Sequence, residues 1–132
     1  AVELQLQFDF YEIDSWDGRE VADEANIVVN DKSLHLGRFD IYRDENGRRG
    51  EAHGMIFELT SEAAPANIGF SGYYDQKHLV RVAIPRSFYE ARGELKIMFQ
   101  ARLTEGDLSN ESAGWDNIKI IANFRCDPSR RK

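Results

Sequence analysis

The feature that most constrains the fold is a strict alternation of apolar and polar residues at the start of the chain. The apolar set is Val2, Leu4, Leu6, Phe8 and Phe10, alternating with Glu3, Gln5, Gln7, Asp9 and Tyr11. Successive side chains of a β-strand point to opposite faces of the sheet, so this period of two predicts a strand with one buried face. The same period recurs over residues 95–103 and 118–124. Helical periodicity is absent beyond one possible turn after Pro85, so the pattern indicates an all-β protein.

Shorter strands separated by turn signals complete this pattern. We predict them at residues 26–29, 33–42, 54–59 and 78–84, with a short one at 69–75. Asn30-Asp31-Lys32 is typical of a tight hairpin turn, and Asp44-Glu45-Asn46-Gly47 of a second turn. Seven or eight short strands favour an antiparallel, jelly-roll-like β-sandwich. The 132 residues suit one domain, predicted at 1–126, with a C-terminal tail at 127–132.

The negative charge is concentrated in two segments. The net charge is −6, and residues 9–24 hold seven acidic residues against the single base Arg19. Residues 105–116 hold four more acidic residues and no base. The chain has no basic stripe for a nucleic acid and no apolar run long enough for membrane insertion, so we expect neither partner. Crowded carboxylates repel one another and destabilise a fold unless a cation neutralises them.

The first acidic segment has the composition of a calcium-binding loop. Asp14, Asp17 and Glu20 are spaced at i, i+3 and i+6 around Gly18. Calcium takes six to eight oxygen ligands from carboxylates, carbonyls and water, and a glycine lets the backbone curl inward. The alternative is a solvated acidic loop.

The second acidic segment precedes the last alternating run, and we predict it as a loop that enters the last strand. If the first and last strands pair, the loop leaving the first lies beside the loop entering the last. The two segments then form one calcium site. Its predicted ligands are Asp14, Asp17, Glu20, Glu111, Asp116 and Asn117.

The two segments also carry a resemblance to a known family. FDFYEIDSWDGRE at residues 8–20 and NESAGWDNI at 110–118 resemble the calcium-binding jelly-roll modules of large secreted bacterial proteins, including RTX-type adhesins, and of some protist surface proteins. Such modules usually have an aliphatic residue where this chain has Trp115. The resemblance implies calcium binding, whereas the ligands of the family vary between glycans and peptides.

Two aromatic groups are candidates for ligand contact. Trp16 and Trp115 lie within the acidic segments, where an aromatic ring can stack on a sugar or hold an apolar peptide side chain. The alternative is that one or both pack on the core. The second group combines polar and aromatic side chains that suit hydrogen bonding and stacking. The alternative to a ligand-binding role is that these residues form an ordinary strand end. The members of the second group are Tyr73, Tyr74, Asp75 and His78.

Catalytic signals are poor. The three histidines have no zinc spacing, and no Ser-His-Asp order is evident. We therefore predict a non-catalytic, calcium-dependent module of a secreted or cell-surface adhesion protein. It would bind a glycan or peptide on another cell surface and form part of a larger multidomain chain. The alternatives are a calcium-stabilised spacer domain and a polysaccharide-acting enzyme. Extracellular location is compatible with the single Cys126, because calcium-stabilised modules also do without disulfides.

Overall fold

The chain folds as a two-layer arrangement of β-strands in the computed structural model. The model describes residues 2–14, 23–39, 45–61, 75–91, 93–103 and 111–124, with the backbone alone for residues 2, 3, 14, 111, 123 and 124. The strands are β1 (Val2–Asp14), β2 (Glu24–Val29), β3 (Lys32–Arg38), β4 (Arg49–Ala52), β5 (Met55–Ser61), β6 (Gln76–Ile84), β7 (Ile97–Arg102) and β8 (Glu111–Phe124). After Pro85, where the sequence allows either one helical turn or an irregular link, the chain forms a 3₁₀ turn at Arg86–Phe88. None of the described residues belongs to a helix long and apolar enough to cross a membrane.

The strands form two antiparallel sheets, which confirms the predicted β-sandwich. One sheet has the order β4-β5-β6-β1-β8, and the other has the order β3-β2-β7. The β2–β7 pair is nested within the β1–β8 pair, as in a jelly roll, whereas β6 pairs directly with β1. The pairing of the first strand with the last, on which the predicted calcium site depends, is present.

The core lies between the two sheets and is built by the alternating residues. Leu6, Phe8 and Phe10 of β1 are fully buried, as their period of two requires. Facing them, the second sheet contributes Ala25, Ile27, Val29, Leu34 and Leu36. Burying a side chain of this size stabilises a fold by about 1.5–3 kcal/mol, so the alternation itself supplies much of the driving force.

Two strand boundaries differ from the prediction for the same reason. Strand β1 continues to Asp14, past the expected loop start at Glu12, and β8 begins at Glu111 rather than near Ile118. The two extensions pair with each other, with Glu12 opposite Ala113. Cross-strand pairing thus overrides the weak strand propensity of the Glu111–Asp116 segment. The prediction of a loop there was wrong. Strand β4 was also missed, because Arg49–Ala52 shows no apolar alternation.

A β-bulge in β8 reconciles the two halves of that strand. Gln7 lies opposite Lys119 and Asp9 opposite Asp116, so two residues of β8 oppose one residue of β1. Asn117 sits in the left-handed region with φ 49°. Because the bulge inserts one residue, Trp115 lies opposite Phe10 and Ile120 opposite Leu6, both on the core side of the sheet.

Candidate functional site

The two acidic segments meet at one end of the sandwich, which we call the loop end. There β1 ends at Asp14, whose register partner is Glu111, the first residue of β8. Strand β6 begins beside them, with Gln76 opposite Glu12. Residues 15–22, 40–44, 62–74 and 104–110, which lie outside the description, connect strands at this end. Both predicted groups, the acidic segments and the residues around Asp75, therefore flank the same end of the molecule.

The structure describes only part of the predicted site. Trp16, Asp17, Glu20, Tyr73 and Tyr74 lie outside the described residues. Within the described ranges, no group of three or more His, Cys, Asp or Glu side chains is placed to hold a metal ion.

Asp116 and Asn117 lie away from the loop end. The Asp9–Asp116 pair is five register positions from the Asp14–Glu111 pair (14 − 9 = 5), about 17 Å along the strand. Asn117 Nδ2 donates a hydrogen bond of 2.6 Å to Asp9 Oδ2, and Asn117 N donates one of 2.8 Å to Asp116 Oδ1. Lys77 Nζ is 3.8 Å from the same Asp9 oxygen. These contacts hold the bulge, and the structure does not bring Asp116 or Asn117 to Asp14.

The interior of the loop end is unusually polar. Acidic side chains are rarely buried in proteins unless they are partnered. Here the buried polar residues are Glu12, Asp23, Glu45, Asp75 and His78. The sequence analysis missed Glu12, Asp23 and Glu45. A signal existed for Glu12, which follows Phe10 by two positions and therefore lies on the apolar face of β1.

His78 joins three strands inside the core. Its Nε2 is hydrogen-bonded to Glu12 Oε2, and its Nδ1 is 2.6 Å from Ser61 Oγ. The ring stacks on Phe10 at 5.7 Å between centroids and contacts Phe39 at 5.4 Å. Burial lowers the pKa of His78 to about 4, with Glu45 raising it and Arg48 lowering it by smaller amounts. The ring is therefore neutral at pH 7, with one ring nitrogen carrying the proton and the other acting as an acceptor.

Arg48 extends this polar region towards the second sheet. Its guanidinium forms an ion pair with buried Glu45 and lies 4.4 Å from the Phe39 ring centroid. Arg48 Nη1 also donates a 3.3 Å hydrogen bond to the carbonyl of Leu36. The residues that follow segment 40–44 are thereby fixed to β3 and to the same aromatic core.

Trp115 packs on the core. Its ring contacts Phe10 at 4.7 Å, Phe99 at 5.2 Å and Phe8 at 5.8 Å between centroids. It is half-buried and bridges the two sheets. This geometry corresponds to the packing alternative, and a stacking role for the remaining exposed surface of Trp115 stays a prediction.

Comparison with known proteins adds no relative. No family model matches the chain, and neither a curated protein nor a solved structure matches it. Function is therefore inferred from the residues and contacts themselves.

Proposed function

We propose that this domain is a calcium-dependent recognition module of an extracellular adhesion protein, with its metal site at the loop end. The observation that carries the proposal is the register of β1 and β8. Asp14 and Glu111 are 97 positions apart in the chain (111 − 14 = 97) and directly opposite in the sheet. Residues opposite one another on antiparallel strands are neighbours on one face, as a shared cation site requires.

The donor chemistry fits calcium. Asp14 directly precedes the segment that contains Asp17 and Glu20, and Glu111 is its register partner on β8, so we propose these four carboxylates as the ligand set. Carboxylate oxygens are hard ligands that suit calcium, and backbone carbonyls would complete the shell. Asp116 and Asn117 are left out of this ligand set because of their distance along β8.

Acidic residues are also abundant around this end. Four buried ones, Glu12, Asp23, Glu45 and Asp75, flank it, and Glu45 forms an ion pair with Arg48. Carboxylates near a cation site strengthen cation binding.

Recognition is proposed for the same end. Trp16, Tyr73 and Tyr74 belong to segments that begin and end there, next to the proposed metal site. Aromatic rings beside a bound calcium ion suit a glycan, whose hydroxyl groups can complete the metal shell, or a peptide carboxylate. The ligand would be presented on another cell surface.

A structural role alone is the second candidate. It is supported by the burial of His78 and by the core packing of Trp115, because two of the predicted ligand contacts are then already engaged within the fold. In that case the calcium ion would stabilise a spacer domain of a larger chain, and no ligand would bind at the loop end.

Among the described residues, the Ser61–His78–Glu12 chain has the order of a nucleophile, a base and an orienting acid, which is a feature in favour of an enzyme. Two properties weigh against hydrolysis. His78 and Glu12 have no exposed surface, and a pKa of about 4 makes the imidazole a weak base at neutral pH. We expect a fluorophosphonate probe to leave Ser61 unmodified, and labelling that disappears in Ser61→Ala would establish the catalytic alternative.

Thermal unfolding with calcium, with magnesium at equal ionic strength and with a chelator tests the metal. A ligand at a thousandfold excess over Kd stabilises by about 4 kcal/mol, which raises Tm by at least about 10 °C for a domain of this size. A calcium-specific shift of that size is expected, and it should be absent in Asp14→Asn and Glu111→Gln. Asp31→Asn, an equivalent change at an exposed residue of the opposite end, is the matched control.

Two further measurements complete the test. Asp116→Asn should retain calcium binding, because Asp116 lies about 17 Å from the proposed site; loss of binding would return it to the ligand set. A glycan and peptide array, run with calcium and with chelator, separates recognition from a spacer role. Binding that requires both calcium and Trp16 supports recognition, whereas a calcium-stabilised domain that binds nothing on the array supports the spacer.

A further inference from the structure

The two sheets leave the sandwich open along one side. On that side the edge strands are β7 of the three-stranded sheet and β8 of the five-stranded sheet. The other side is bridged, because Arg48, next to β4, donates a 3.3 Å hydrogen bond to the Leu36 carbonyl of β3. Met98 of β7 is 51% exposed, and Ile118 and Ile120 of β8 are 50% and 47% exposed. Apolar side chains exposed on edge strands are typical of surfaces that another chain covers.

Strand β7 lies over the boundary between β1 and β8. Its Phe99 ring contacts Phe8 of β1 at 4.9 Å between centroids and Trp115 of β8 at 5.2 Å. Neighbouring strands of a sheet are about 4.8 Å apart, so a strand added beside β7 would lie over β8. The order β3-β2-β7 places no described strand in that position.

The inner face of β8 below this position is apolar. Ile120 lies opposite buried Leu6 and faces the interior, and Ile118, two residues earlier on the strand, lies on the same face. Because both are half-exposed, the three-stranded sheet does not cover them. We call the uncovered space the apolar slot. Its lining residues are Ile97, Phe99, Trp115, Ile118 and Ile120.

The backbone groups on the free edge of β7 point into the slot. Lys96 O accepts a 2.9 Å hydrogen bond from Asn30 N, and Lys96 N donates one of 2.7 Å to Asn30 Oδ1, so the backbone groups of Lys96 point towards β2. Successive residues of a strand direct these groups to opposite edges. The N–H and C=O groups of Ile97, Phe99 and Ala101 therefore point away from β2. No described strand pairs with them.

We infer that the apolar slot binds an extended peptide segment of a partner protein, which pairs with β7 as a fourth strand of the three-stranded sheet. Strand addition of this kind derives affinity from main-chain hydrogen bonds and specificity from alternate side chains. Here every second side chain of the peptide is apolar and contacts Ile118 and Ile120. This binding goes beyond the metal-dependent recognition proposed for the loop end and requires no calcium.

The charges along β7 favour an acidic peptide. Lys96 and Arg102 lie six positions apart (102 − 96 = 6) on the solvent side, with Met98 and Gln100 between them. Arg102 is 4.0 Å from Glu24 but remains 78% exposed. Residues directly opposite on neighbouring strands interact, so acidic residues at both ends of an added seven-residue strand would face the two bases.

Other occupants fit the slot less well. A second copy paired through β7 about a two-fold axis would bring its own β8 into the space of the first β8, because β8 extends below the slot. Residues 125–132 of this chain, RCDPSRRK, have no alternating apolar residues. The edge of β8 is interrupted by the bulge at Asn117, whereas the β2–β7 register has no shift.

The probe is the acetylated and amidated peptide EVTITVE, which alternates apolar residues and has a glutamate at each end. Calorimetry on the whole domain in the presence of chelator should show saturable binding. The peptide EVVITTE has the same composition without the alternation and should bind at least about tenfold more weakly. Hydrogen exchange with EVTITVE should show new protection of the amides of Ile97, Phe99 and Ala101. The amides of Met98 and Gln100, which already face β2, should not change.

Two variants test the edge and the apolar face separately. Ala101→Pro removes an N–H on the free edge and obstructs pairing from the slot, whereas Gln100 and Arg102 still pair with β2. We expect its affinity for EVTITVE to fall at least about tenfold. Ile120→Ser, which is informative also where the proline variant does not fold, should weaken binding several-fold. Ile56→Ser is the matched control, because Ile56 is 40% exposed on the outer face of β5 and should leave the Kd unchanged.

A charge reversal tests the choice of an acidic peptide. Arg102→Glu should weaken binding of EVTITVE and strengthen binding of KVTITVK. The inference is overturned by absence of EVTITVE binding at about 1 mM, by equal affinity for EVTITVE and EVVITTE, or by wild-type affinity in Ile120→Ser and in a folded Ala101→Pro. Dimerisation that Ala101→Pro abolishes would assign the slot to a second copy instead. All these measurements are made without calcium, so the proposed metal site is tested separately by its effect on Tm.

Discussion

The two ends of the sandwich are held together by different means. The loop end uses buried ionisable side chains and long connections, whereas the opposite end, which we call the turn end, uses two tight turns and one longer connection that is hydrogen-bonded to the first of them. The turn end contains the β2–β3 turn at Asn30-Asp31, the β4–β5 turn at His53-Gly54 and the β6–β7 connection at 85–96. Buried ionisable groups reduce stability and concentrate at functional sites. The contrast supports the proposal that the loop end is the binding end, and the turn end is held by hydrogen-bonded turns.

Asn30 is the main connector of the turn end. It has φ 45° and is followed by Asp31 with φ 67°, the two left-handed residues of a type I′ hairpin. Its Nδ2 donates to the carbonyls of Phe88, at 2.7 Å, and Glu94, at 3.0 Å. Its Oδ1 accepts from Lys96 N at 2.7 Å. One residue thus closes the hairpin and attaches the 85–96 connection to it.

The largest expected effect is the loss of the aromatic support beneath the loop end. Phe39 is fully buried and contacts Phe10 at 5.0 Å, His78 at 5.4 Å and the Arg48 guanidinium at 4.4 Å. We expect Phe39→Ala to lower the free energy of unfolding by about 3–5 kcal/mol, because it creates a cavity next to charged groups. Chemical denaturation measures it. Phe39→Leu should lose less, and a loss below about 1 kcal/mol in the alanine variant would contradict this packing.

The next effect is acid sensitivity that originates at the loop end. Below pH 6.5 the unfolded chain binds a proton at His78, whereas the folded state does not until about pH 4, so the free energy of unfolding decreases as pH falls through this window. The shift of about 2.5 pKa units corresponds to about 3 kcal/mol. His78→Phe should flatten this part of the pH profile of Tm. His53→Asn, at the turn end, should not, and an unchanged slope in His78→Phe would contradict the assignment.

A smaller loss is expected at the turn end. Asn30→Ala removes three side-chain hydrogen bonds, two of them solvent-exposed, and places alanine at φ 45°. We therefore expect a loss of about 2 kcal/mol in the free energy of unfolding at all pH values. Asn30→Gly removes the same hydrogen bonds without the backbone strain. The difference between the two variants in urea denaturation should be about 1 kcal/mol. Equal losses of unfolding free energy in the two variants would show that the left-handed backbone conformation at position 30 does not destabilise the alanine variant.

The smallest effect is expected from an exposed ion pair of the turn end. Arg86 Nη2 is 2.6 Å from Glu90 Oε1, and both side chains are 56% exposed. Such pairs contribute at most about 0.5 kcal/mol, because solvent and salt screen them. Arg86→Ala should therefore leave Tm within about 2 °C of wild type. A larger change in Tm would mean that ion pairs also contribute substantially to the stability of the turn end.

Local physics was enough for much of the fold. The period of two in β1 and β7, the Asn30-Asp31 hairpin and the helical turn after Pro85 all follow from side-chain alternation or from backbone angles of single residues. The pairing of the first and last strands was instead a condition taken from the usual topology of antiparallel sandwiches, and the structure contains that pairing. Local patterns also identified the acidic segments, because charge spacing is visible without knowledge of what lies nearby.

Tertiary structure decided the remainder. The start of β8 at Glu111, the short strand β4 and the bulge at Asn117 depend on which strand lies alongside, and local propensity does not encode a neighbour. Glu12 and His78 are 66 positions apart and Asn117 and Asp9 are 108 apart, yet each pair is hydrogen-bonded. The sequence alone thus determined which segments alternate apolar and polar residues, as strands do, and where the acidic residues are concentrated. Register, a long-range property, decided that Asp14 faces Glu111, that Asp116 does not join them, and that His78 serves the core.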